Sequence, residues 1–219
     1  MIWTMPRTAE AERNDRALLK AAREVLAIDG VHASVASIAA RAGVGIGSLY
    51  RRYRSKDELF QHLVEVALDQ WTEIAEQAMA KDDPWDGIVH YVTSAVGMGS
   101  LAPLAGKVTI TAEMAAKNAR SDEAFEALVG NAHKAGVLRK DVTLVDVLLI
   151  IEQLTKSPLI EQLQQQGRDD MLEAARNAQR RVTAIALAGL RPSDQPMPGE
   201  PPGMDLFTER WSSAGSGRS

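Results

Sequence analysis

Residues 34–59 read SVASIAARAGVGIGSLYRRYRSKDEL, two short helices at a tight corner with a third starting at once. Ser34 suits the N-cap of the first, since its hydroxyl can accept an amide hydrogen bond that the helix leaves open. Ile38, Ala39 and Ala42 recur at helical spacing and form one apolar face. Gly43 ends that helix, because glycine takes the left-handed conformation at little cost. Val44 carries the apolar face across the corner, and Leu49 points inward from the second helix. Ser48, Tyr50, Arg51 and Arg52 lie on its outer side, with Tyr53, Arg54 and Lys56 just beyond. A short helix with a basic, hydroxyl-rich exposed face, set at a corner by its predecessor, has the form of a DNA recognition helix.

The run Ile38-Ala39, Ala42-Gly43-Val44, Gly47-Ser48-Leu49-Tyr50, Tyr53 and Ser55-Lys56-Asp57-Glu58-Leu59 resembles the N-terminal signature of the TetR family of bacterial transcriptional regulators. The resemblance covers about residues 13–60. It implies an all-α chain with an N-terminal three-helix helix-turn-helix DNA-binding domain and a C-terminal helical ligand-binding and dimerisation domain. It also implies that Tyr50 and Lys56 bind phosphate. Two positions depart from the family pattern. Gly45-Ile46 stands where many members carry Ser or Ala and then a basic residue, and Ser37 replaces a common acidic residue, so the usual capping box is missing.

The net charge of −4 is unevenly distributed. Residues 1–56 hold 10 Lys/Arg against 5 Asp/Glu, whereas residues 57–219 hold 15 against 24. The basic part coincides with the helix-turn-helix, as attraction to phosphates requires. Apolar content of 45% with 5% aromatics suits an aliphatic helical protein, and with no cysteine there is no disulfide or thiolate site. No stretch reaches the ~18 apolar residues of a membrane span, and the start lacks the apolar core of a signal peptide. A cytoplasmic location is expected.

Along the chain, residues 1–12 are expected to form a flexible arm, 13–56 the DNA-binding domain, 57–191 the effector-binding and dimerisation domain, and 192–219 a disordered tail rich in Pro, Gly and Ser. A helix over 13–29 carries Leu18, Leu19, Ala22, Val25 and Leu26 inward. A long helix from Ser55 to about Ala80 begins with a capping box through Glu58 and joins two cores: Leu59, Phe60, Leu63, Val66 and Ala67 face one, Trp71, Ile74 and Met79 the other. Helices follow over 85–97, 104–118 with Val108, Ile110 and Met114 inward, and from a Ser121 cap to Gly136. Two closing helices over 143–156 and 169–190 are interrupted at Pro158. The last has a stripe of Leu172, Ala175, Gln179, Val182, Ala186 and Gly189, narrow enough for a close partner helix; by the resemblance this pair makes a homodimer.

The DNA-contacting set is Ser34, Gly47, Ser48, Tyr50, Arg51, Arg52 and Lys56. Arg51 and Arg52 can read guanine edges or bind phosphate, and Ser48 and Tyr50 suit phosphate contacts that set register. Trp71, Trp85, Met98, Met114 and Glu152 are the candidates for a pocket holding a small, mostly apolar effector. The glycines at 43, 45 and 47 do not form a phosphate loop, since no strand precedes them. His32, His62, His90 and His133 lack metal-ligand spacing, and no nucleophile elbow occurs, so neither metal, cofactor nor catalysis is expected. The resulting reading is a homodimeric repressor released from a palindromic double-stranded operator by a small molecule. Its alternatives are a DNA-binding regulator without an effector, an architectural binder without sequence preference, and an all-helical enzyme with a helix-turn-helix-like fold.

Overall fold

The computed structural model describes residues 6–206; positions 1–5 of the expected arm, and 207–219 of the expected tail with Phe207 and Trp211, lie outside them. Among the described residues the chain is helical without strands. The first helix, α1 (Pro6–Asp29), begins seven residues before the expected start. Proline is tolerated there because the first-turn N–H groups have no helical partner and its φ is already helical. So residues 6–12 belong to a helix and not to an arm.

The corner forms as its residue types dictate. Ser34, in extended conformation, accepts from the Ser37 amide and caps α2 (Val35–Ala42). Ser37, standing where the family pattern has an acid, shares a hydrogen bond between its hydroxyl and that of Ser34 at 2.7 Å. Gly43 closes α2 at φ 69°, ψ 24°, the left-handed conformation that a side chain resists. After it come α3 (Ile46–Arg52) and α4 (Lys56–Met79). Ser55 caps α4, but the Glu58 carboxylate accepts from the Arg54 amide one residue earlier, so the reciprocal half of the expected capping box is absent.

Beyond α4 lie α5 (Pro84–Met98), α6 (Ala112–Lys134), α7 (Leu144–Thr155), α8 (Leu159–Gln165) and α9 (Leu172–Gly189). Three expectations need correction. The region 104–118 is not one helix: residues 105–111 are irregular, and Thr111 caps a single α6 that runs through Ser121. The physical cause is Gln61, whose amide pairs with both the N–H and C=O of Thr109 and takes those groups out of helix formation. Ile110 is consequently exposed, and Ser121 is buried inside the helix instead of capping one. The interruption at Pro158 holds a short helix, α8, packed on α1 and α9. The start of the tail is tied down as well: Arg139 donates to the Gln195 carbonyl, and Asp141 accepts from the Met197 amide at 3.0 Å. The same Arg139 is forked onto Asp141 at 2.7 and 2.8 Å and holds that carboxyl well below the ordinary range.

The apolar side chains make two cores. One joins α1, α2 and α3 to the first half of α4 through Leu19, Leu26, Ile38, Leu49, Leu59 and Leu63. The other joins the second half of α4 to α5, α6 and α7, with Ile74, Ile88, Val92, Phe125 and Leu128 at its centre. In this second stretch Ala78, not Met79, points inward. The first core also takes Leu104 and Met114, so α6 spans both cores beside α4, and the link between them is a pair of helices.

Where α5 leaves α4 the backbones touch. A Cβ on Gly87 would lie 2.7 Å from a Leu128 methyl and 2.8 Å from the Ala78 carbonyl oxygen. Gly87→Ala should therefore cost ~1–3 kcal/mol by overpacking, a fall of roughly 2–12 °C in melting temperature for a chain of this size. A melt indistinguishable from the parent protein would mean the helices have more room than these distances allow.

Candidate nucleic-acid interface

Leu49 and Tyr53 hold α3 in place. Both are buried in the first core, and burial pushes the Tyr53 phenol up to about 12. Tyr53 is thus a packing residue. Anchored on that side, α3 leaves Gly47, Ser48, Tyr50 and Arg51 exposed on the other, with Tyr50 at 55%. Arg51 donates to the Ser48 hydroxyl at 2.9 Å, which holds the guanidinium along the helix surface and lowers the ordering cost of a contact.

Arg52, expected on the same face, is placed differently. Its Nη2 donates to Asp15 Oδ2 at 2.8 Å, its Nη1 lies 2.6 Å from Oδ1, and its guanidinium stands 5.2 Å from the Tyr53 ring centre. The hydrogen bond to Asp15 holds the guanidinium above its ordinary pKa. His62 of α4 reaches the same carboxylate at 3.3 Å and lies beside the Tyr53 ring at 5.3 Å. Arg52 therefore joins α3 to α1, and Asp15 brings α4 into the same junction. Nothing in the local sequence could show this, because the partner lies 37 residues away.

Ser34 and Lys56 stand at the first turns of α2 and α4. The Ser34 hydroxyl serves as the cap, and the Lys56 ammonium lies 5.1 Å from the Phe60 ring centre. Sequence reasoning missed Ile46, a large apolar side chain left 43% exposed at the start of α3. Its signal was present in the Gly45-Ile46 departure, which counted only as the loss of a basic contact.

The five effector candidates do not surround one cavity. Met114 is buried in the first core and accepts from Gln61. Trp85 is buried in the second, with the Arg191 guanidinium 3.9 Å from its ring centre. Trp71 lies beside Tyr91 at 5.8 Å, and Tyr91 stacks on Phe125 at 4.2 Å. Glu152 pairs with Lys156 at 3.0 Å. Met98 alone of the five lines the surface cleft that Arg23 and Gln70 also line. Helical periodicity marks a side chain as inward but not which core it enters, and that accounts for the dispersal.

Residues 18–63 match the family of bacterial regulatory proteins called tetR. More than four-fifths of the chain is similar in fold to solved structures of TetR regulators. A regulatory protein from Mycobacterium vanbaalenii shares 22% identity over 85% of this chain and 99% of its own, with a TM-score of 0.53. One from Streptomyces coelicolor shares 21% identity over 82% and 99%, with a TM-score of 0.52. The TetR-like regulator LfrR from Mycobacterium smegmatis, in complex with proflavine, shares 21% over 81% and 95%, with a TM-score of 0.54. No helix among the described residues is long and apolar enough to cross a membrane.

Proposed function

Since the chain belongs to the TetR family of DNA-binding transcriptional regulators, we propose that it is a homodimeric repressor that binds a palindromic operator through α3 and leaves it when a small molecule binds. The observation that carries this reading is the exposed face of α3, with Tyr50 and the preset Ser48–Arg51 pair. In a two-fold dimer the two α3 helices enter successive major grooves if they stand about one helical turn, ~34–36 Å, apart. Arg51 reads a guanine edge, Ile46 meets a thymine methyl, and Gly47, Ser48, Tyr50, Ser34 and Lys56 hold the backbone. Release requires a ligand that favours the conformation unable to bind DNA, and α4 with α6 joins the two cores that must move relative to each other. The reading involves no catalytic step.

A second reading, a regulator without an effector, has one observation in its favour. The Trp71–Tyr91–Phe125 series packs ring against ring through the second core, as in a core closed without a ligand.

Selection of preferred duplexes from a random pool by the purified protein tests the DNA half. A palindrome supports the proposal; a folded protein that recovers no preferred site contradicts it. Two variants then separate the arginines. Arg51→Ala should weaken the preferred duplex by ~1–3 kcal/mol and relax one base position, with an unchanged melt. Arg52→Ala should lower the melting temperature and weaken all duplexes alike, because it loosens α3 on α1. The reverse pattern, with Arg51→Ala lowering the melt and Arg52→Ala relaxing a base position, would refute both roles.

A further inference from the structure

Arg23 lies in the middle of α1 and is only 6% exposed. Its one hydrogen bond among the described residues runs from Nη1 to Gln70 Oε1 at 3.0 Å, and its Nε has no partner. A buried guanidinium that faces an amide and no carboxylate is poorly compensated, and arginine does not shed its proton to relieve this. Burial alone pulls its pKa down, to about 10.

The surroundings sharpen the imbalance. Arg23 lines a cleft of about 380 Å³ with Arg16 and Lys20 of α1, Gln70, Glu73 and Ile74 of α4, and the end of α5 at Met98. Glu73 is the one carboxylate in that lining, and Arg16 takes it at 2.7 Å. Lys20 and Arg23 are left without a counter-charge among the described residues. The carbonyl end of α5 favours a cation nearby, yet no carbonyl there accepts from Arg23. The chain just past α5 covers the arginine stem instead: a Cβ on Gly99 would lie 3.7 Å from Arg23 Cβ. The side chain is held in place with its buried Nε unpaired, beside a concave surface that has two apolar members, Ile74 and Met98.

We infer that this cleft binds a small organic anion, its carboxylate or phosphate group facing Arg23 and Lys20 and its short apolar body lying on Ile74 and Met98. Two cationic side chains lining one cleft suit an oxyacid group, and the volume suits a compact molecule. The occupant would touch α1 of the first core together with α4 and α5 of the second. Its effect on operator binding rests on the regulator reading; the binding site itself does not.

The test is calorimetric titration of the full-length protein with benzoate, hexanoate and inorganic phosphate, each at matched ionic strength against chloride. Saturable binding of at least one organic anion is expected, weakened about tenfold or more in both Arg23→Met and Lys20→Ala. Lys20 is exposed, so its variant keeps the test readable should Arg23→Met fail to fold. No binding above the chloride control overturns the inference, as does affinity unchanged in the Lys20 variant. Binding of phosphate with neither carboxylate would overturn the organic ligand in favour of an inorganic ion. None of these outcomes involves DNA, so a protein that binds the anion but no duplex would fail the regulator reading alone, and the converse result would fail the cleft alone.

Discussion

Ile185→Asp is expected to turn the protein from a dimer into a monomer and to abolish detectable binding to its preferred duplex. On α9 the residues Ala174, Ala178, Val182, Ile185 and Gly189 recur at three- and four-residue intervals, with Met171 just before the helix in the same series, and all are exposed. Ile185 is the most exposed large apolar side chain described, at 67%, with Val182 at 52%. The opposite side of the helix, through Ala175, Thr183 and Leu187, faces its own subunit. The proposed partner covers the exposed stripe. In a two-fold interface each substitution enters twice, and an unpaired carboxylate there costs several kcal/mol per copy. A monomer engages one half-site and loses the gain of linked binding, on the order of 10²-fold or more. Sedimentation equilibrium and duplex titration check both parts, with Ile185→Leu as the control that should stay dimeric. An unchanged mass for the aspartate variant would move the dimer interface elsewhere.

Phe125→Ala should give the largest loss of stability among single core truncations. Phe125 is 2% exposed, at the centre of the second core, and its ring stacks on Tyr91 with planes 10° apart. Truncation removes the buried area, the stack and the support of Tyr91, for ~3–5 kcal/mol. For a chain of this length that is a fall of roughly 6–20 °C in melting temperature. Because α4 and α6 run through both cores, the melt should remain one transition. A change of under roughly 3 °C would sink the packing argument, and a split into two transitions would show that the shared helices do not couple the cores.

Much of the N-terminal core was legible along the chain. Ser34, Gly43 and Ser55 set helix ends, and Ile38, Leu49, Leu59 and Leu63 marked inward faces, because caps and helical period act within a few residues. The stripe expected on the last helix was only partly right. Ala175 faces the subunit's own core, whereas Val182 and Gly189 lie on the outward face. A run of small residues does not reveal which side its neighbours occupy. Ser121 misled for a related reason: serine suits a cap, but α6 starts where Gln61 releases the chain, ten residues earlier.

The sequence by itself determined the helical class, the corner at Gly43, the surface carrying Ser48, Tyr50 and Arg51, and the link through α4. All of these follow from interactions between residues a turn or two apart. Only the tertiary structure decided that Arg52 ties α3 to Asp15, that Met114 enters the first core beside Gln61, and that Arg23 is buried against Gln70. Those pairs are separated by 37, 53 and 47 residues. Which of several similar side chains meets across such a distance depends on how whole helices pack, and no local pattern encodes it.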